Sequence, residues 1–132
     1  MKSRPGQAGL TLIELLIVVV VIGILATIAI PKFSSMRRKS YVAAVTSDLK
    51  NMASQQEVYL SQHNAYATSA GQLAEFTLSS NVTVSINEAD GRGWAATATH
   101  AGLSGSQCGF FFGSASASNG SPATLPGTVT CN

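Results

Sequence analysis

The chain has 132 residues, only 11% of them charged, with two cysteines and a formal net charge of +2. Once an apolar segment is set aside, about 100 residues remain, enough for a small core and too few for a large buried cleft. The charges are sorted: Lys2, Arg4, Lys32, Arg37, Arg38 and Lys39 all precede residue 40. Beyond residue 50 only Arg92 opposes Glu57, Glu75, Glu88 and Asp90, which leaves no basic footprint for a nucleic acid.

The first predicted element follows a short basic start. From Leu10 to Ile30 every side chain except Glu14 suits hydrocarbon. As a helix this run rises about 30 Å, the thickness of a bilayer core. A secretory signal has an apolar stretch of about 7–15 residues and a small-x-small cleavage site. The run here is longer, carries an acid and continues past Pro31 into a helical pattern, which disfavours an ordinary signal peptide. A carboxylate in a membrane segment is costly and asks for a partner; the alternative is an uncharged Glu14 reaching the interface.

Gly23 and Pro31 are weak points in this helix. Pro31 cannot donate to the Thr27 carbonyl and its ring crowds it, so a kink or local opening is expected there. From Lys32 to about His63, Val42, Val45, Leu49, Met52, Tyr59 and Leu60 recur at spacings of three and four, with Gln56 filling the gap. Asp48, Lys50, Asn51, Ser54 and Gln55 take the other faces. Only about two heptads are clean, so the stripe is expected to pack on the chain's own sheet rather than in a coiled coil. Asn64 ends the helix, and Leu73 and Phe76 are placed on a short helical turn within residues 69–76.

Strand signals follow. Val82 to Ile86 alternates apolar and polar, and Trp94 to Thr99 resumes the pattern after Asp90-Gly91, which predicts an antiparallel hairpin. Gly109 to Gly113 is a third strand with Phe110, Phe111 and Phe112 read as core, and Thr128 to Thr130 a possible fourth. Residues 114–127, rich in Gly, Ser and Pro, read as a loop. The fold class is therefore α+β: a long N-terminal helix, membrane-spanning in its first half and amphipathic in its second, packed on a small antiparallel sheet.

Cys108 and Cys131 lack metal or redox spacing. A disulfide between them is favoured and would stabilise by roughly 3.5 kcal/mol in the chain-entropy model; two separate buried thiols are the other use. A disulfide requires an oxidising compartment. No phosphate loop, metal cluster or catalytic set is visible, so no enzyme, metal or cofactor is expected. His63 and His100 suit surface or packing roles, Tyr41, Tyr59 and Tyr66 are candidates for subunit contacts, and Asn81-Val82-Thr83 matches the short glycosylation acceptor pattern.

The run Gly9-Leu10-Thr11-Leu12-Ile13-Glu14-Leu15-Leu16, between a basic leader and a long apolar helix with Pro31 and Lys32 beyond it, resembles the processing motif of type IV pilins and their pseudopilin relatives. The resemblance implies cleavage between Gly9 and Leu10 by a prepilin peptidase, N-methylation of Leu10, and docking of Glu14 on the amino terminus of a neighbouring subunit. The family's usual first mature residue is phenylalanine; Leu10 stands there instead. It also implies that the stretch holding Gly23 and Pro31 loosens in the filament, and that Cys108 and Cys131 bound a C-terminal disulfide loop.

On this reading residues 1–9 are a leader, 10–31 the transmembrane and filament-core helix, 32–63 its amphipathic second half, and 64–132 the sheet-containing head. The implied function is a structural subunit of a type IV pilus, a homopolymer serving adhesion, motility or DNA uptake. An inner-membrane assembly platform and its ATPase motor are the implied partners. The head would be periplasmic before assembly and extracellular after it. The alternatives are a type II secretion pseudopilin, which the cysteine loop and the lack of an acidic calcium loop oppose, and a membrane-anchored binding module that never polymerises. One observation runs against an external head: Lys32, Arg37, Arg38 and Lys39 lie beyond the apolar run, against Lys2 and Arg4 before it, the reverse of the positive-inside bias.

Overall fold

The structure, a computed structural model, describes residues 9–132. It contains one long helix, α1 (Leu12–His63), and four strands, β1 (Val82–Ala89), β2 (Gly93–His100), β3 (Cys108–Gly113) and β4 (Thr130–Cys131). Short 3-10 turns lie at Ala70–Gln72 and Ala117–Gly120. The chain divides into two compact units at Met36 and Arg37.

Among the described residues of the N-terminal unit, Leu12 to Met36 are helix. Gly23 and Pro31 both lie inside α1, which stays helical through them. From Leu10 to Ile30 every large apolar side chain is exposed, Val21 the least so at 48%. Such a surface is stable only in hydrocarbon or against other apolar helices. Helix begins at Leu12 rather than Leu10, because Thr11 occupies the capping position before it.

In the second unit α1 lies on the sheet, whose strands run in the order β1-β2-β3-β4, all antiparallel. Val45, Leu49 and Met52 are fully buried against a set that includes Trp94, Ala96, Ala98 and Phe110. The period-2 alternation sends Ala95 and Phe111 to the opposite face, where they meet Ala115 and Ala123. The helix ends where Asn64 takes the left-handed conformation (φ 55°) that suits a residue just past a helix.

Five expectations change. Residues 114–127 are not a plain loop: they fold over the outer face of the sheet, with the turn Ala117–Gly120 resting on β3. A Cβ on Gly109 would come within 1.9 Å of the Gly120 carbonyl oxygen, so this crossing needs glycine. The bulged Asn87 donates to the Asn119 carbonyl at 2.7 Å, and Glu88 accepts from Ser116 N–H at 2.9 Å and from the Asn119 side chain at 2.7 Å. Secondly, β4 is only Thr130–Cys131, with Val129 half-packed beside it. Thirdly, Phe112 is 42% exposed at the strand end, so only Phe110 and Phe111 are core. Lastly, Tyr66 is buried rather than offered to another subunit, and Asp48 is buried rather than solvated.

Asp48 is buried because it has two partners. Its Oδ2 accepts from Ser79 N–H and its Oδ1 from the Ser79 hydroxyl, both at 2.9 Å. The segment joining helix and sheet is thereby tied to α1 near its far end, just before β1.

Candidate functional site

The apolar run of α1 and the carboxylate at its start form the site that the sequence points to. Thr11 and Glu14 make a capping box. The Thr11 hydroxyl accepts from Glu14 N–H at 3.3 Å, and Glu14 Oε2 accepts from both Thr11 N–H and the Thr11 hydroxyl at 2.7 Å. Reciprocal bonds of this kind satisfy donors that a helix start leaves open. The sequence reading missed this role for Thr11, although Thr-x-x-Glu ahead of an apolar run carries the signal. Both bonds use Oε2; among the described residues Oε1 makes no hydrogen bond.

The other predicted positions fall around this cap. Gly9 and Leu10 precede the helix, and Leu10 is 81% exposed. A Cβ on Gly9 or on Gly23 would meet no atom of the described residues within 4 Å, so no packing among them requires glycine at either place. Gly23 also costs about 1 kcal/mol relative to Ala inside a helix. Thr27, one turn before Pro31, turns its hydroxyl back to the Ile24 carbonyl at 2.6 Å.

In the head, Cys108 and Cys131 are joined by a disulfide across paired positions of β3 and β4. That bond holds the end of the chain to the sheet through a strand of only two residues. His100 stacks on Tyr41 with ring centroids 4.1 Å apart and accepts from Gly102 N–H at 2.9 Å, and His63 stacks on Tyr59 at 4.0 Å. Among the described residues no group of three or more His, Cys, Asp or Glu side chains could hold a metal.

A long apolar helix with a capped carboxylate at its start, followed by a small disulfide-tied sheet, is the architecture of a pilin-like filament subunit. Residues 4–30 match the prokaryotic N-terminal methylation motif. The chain is 37% identical over 97 residues to the type IV wide pilus major component PilA4 of Thermus thermophilus, covering 71% of this chain and 74% of that protein. It is 39% identical over 72 residues to the type IV major pilin protein PilA of Myxococcus xanthus, covering 54% of this chain and a third (33%) of that one. A type II secretion system core protein G of Pseudomonas aeruginosa is 36% identical over 64 residues, 48% of this chain and 45% of that protein. The chain belongs to the type IV pilin family.

Proposed function

We propose that the chain is a structural subunit of a type IV pilus, held in a membrane by residues 10–31 until it polymerises. The observation that carries this reading is the apolar run with every large side chain exposed and, at its start, a carboxylate whose Oε1 has no partner within the described chain. In a bundle of such helices apolar surface passes from lipid to neighbouring helices without meeting water. Oε1 of Glu14 is then the acceptor for the ammonium group of the next subunit, while Oε2 keeps its place in the cap. A carboxylate between packed helices is tolerable only with such a cation beside it.

Gly9 serves a prepilin peptidase, a reading supported by the methylation motif matched over residues 4–30 and by the open space about Gly9 among the described residues. The product begins at Leu10, whose amine is methylated. Gly23 and Pro31 are where the helix loosens as subunits pack. An inner-membrane platform and its ATPase motor lift the subunit, whose head lies outside the cytoplasm, where the disulfide is stable. The role of type II secretion pseudopilin is the second reading, supported by the likeness to core protein G.

Intact mass spectrometry of fibres sheared from the cell surface tests this. The expected species is residues 10–132, methylated and two hydrogens light. Uncleaved chain in the fibres would overturn the leader. Processed chain confined to the membrane fraction would favour the pseudopilin role.

A further inference from the structure

The run Arg37-Arg38-Lys39 is used by none of these steps. It is also the feature that reverses the expected charge bias around the apolar segment. We propose that these three residues form a binding surface for anionic phospholipid headgroups, engaged while the subunit is unassembled; this rests on the reading that residues 10–31 cross a membrane.

All three side chains are exposed. Two are held in place rather than left to wander. Arg38 donates to the Ser106 hydroxyl at 3.0 Å. Arg37 donates to the Tyr41 hydroxyl through Nη2 at 2.8 Å and through Nε at 3.2 Å. Tyr41 is itself fixed by its stack on His100 and by Gly102, where a Cβ would come within 2.5 Å of the ring. No acidic residue occurs in sequence between Glu14 and Asp48, and both Asp48 oxygens are taken by Ser79.

Geometry favours a lipid surface over a protein partner. Three consecutive helical residues fan over about 200° of circumference. A groove or patch on a second protein meets one side of a helix, whereas a headgroup layer surrounds it. Only residues 31–36 separate Ile30 from Arg37, about 9 Å of helix. The headgroup layer is itself about 5–8 Å thick, and a charge acts over about 10 Å at ordinary salt. The run therefore lies within electrostatic reach of phosphates at the membrane face.

The full chain is reconstituted in vesicles of equimolar phosphatidylglycerol and phosphatidylcholine, embedding is scored by flotation, and retained lipids are counted by native mass spectrometry. Phosphatidylglycerol should exceed phosphatidylcholine by about fivefold. The preference should fall to parity in Arg37→Gln/Arg38→Gln/Lys39→Gln and in about 0.5 M sodium chloride. It should survive in Arg37→Lys/Arg38→Lys, which keeps charge but not the guanidinium contacts; the near-ultraviolet signal of Trp94 reports that each variant is folded. Parity in the embedded wild type overturns the proposal, as does a preference that persists in the triple glutamine variant. Loss in the lysine variant also overturns it, because the effect is then structural. A triple variant that stops fibre growth while the wild type shows lipid parity assigns the run to an acidic face of a second copy. A chain that does not float with vesicles brings down the membrane reading and this one with it.

Discussion

The Gln56 side chain pairs with the backbone of Ala67 as a neighbouring strand would: Oε1 accepts from Ala67 N–H at 2.7 Å and Nε2 donates to the Ala67 carbonyl at 2.9 Å. Gln56 is fully buried and Ala67 nearly so. With Asp48 holding Ser79, two polar side chains of α1 clamp the connection between helix and sheet at its two ends. An apolar residue in place of Gln56 would leave the Ala67 N–H and carbonyl buried and unpaired.

Gln56→Leu keeps roughly the same volume and removes both bonds. Unfolding of the full chain in detergent, followed by Trp94 fluorescence, should show a loss of about 3 kcal/mol, the usual cost of orphaning two buried groups. A loss under about 1 kcal/mol, the scale of a volume-conserving core swap, would mean that packing alone holds the connection.

Tyr66 should titrate late. Burial, then the hydrogen bond to Glu57 at 3.0 Å and that carboxylate's charge, push its phenol up from 10.0 to about 12. The neutral form is favoured in the folded state. Its contribution to stability is therefore complete below pH 10 and lost as pH climbs through about 12. The difference in ultraviolet titration between the wild type and Tyr66→Phe should appear near the upper value; a difference centred on 10 would refute the burial.

Asp90 has the opposite sign. Backbone N–H groups of Arg92 and then Gly93 donate to Oδ1 at 2.6 and 2.8 Å and, with the Arg92 charge, hold its carboxyl below the ordinary 3.8. This stabilisation is present above 3.8 and is lost as pH falls through the lower folded value. Asp90→Asn can keep the turn through its own carbonyl oxygen. It should leave the hairpin intact at neutral pH and flatten the acid limb of the stability profile. An unchanged acid limb would assign that limb to other carboxylates.

The crossing of residues 114–127 over β3 should tolerate no side chain at Gly109. A methyl there meets the Gly120 carbonyl and Ser121 backbone, which cannot swing aside as a side-chain end could. Gly109→Ala should cost about 3 kcal/mol, at the top of the range for overpacking, and should raise amide exchange in 114–123 before the rest of the sheet. Uniform exchange with wild-type stability would show that the segment lies on the sheet only loosely.

Much of this architecture was legible because its signals are local. The hairpin about Asp90 and Gly91 announces itself by alternation on both sides of a turn pair. The stripe through Val45, Leu49 and Met52 announces itself by spacing. The cap made by Thr11 and Glu14 is equally local, carried by Thr-x-x-Glu ahead of an apolar run. Charge alone places Asp48 in solvent, and nothing near it in sequence indicates that Ser79 supplies two donors.

The sequence by itself determined the apolar run from Leu10 to Ile30, the acid at its start, the helix that continues to His63 and the strands that follow. Each of these is set by neighbours within a turn or two of chain. Only the tertiary structure decided that Asp48 is buried and what Gln56 pairs with, which phenylalanines of β3 face which layer, and that residues 114–127 cover the sheet. These depend on backbone brought close from distant positions, Ala67 to Gln56, Ser79 to Asp48 and Gly120 to Gly109. A buried hydrogen bond or a close backbone approach has no period in the sequence that could reveal it beforehand.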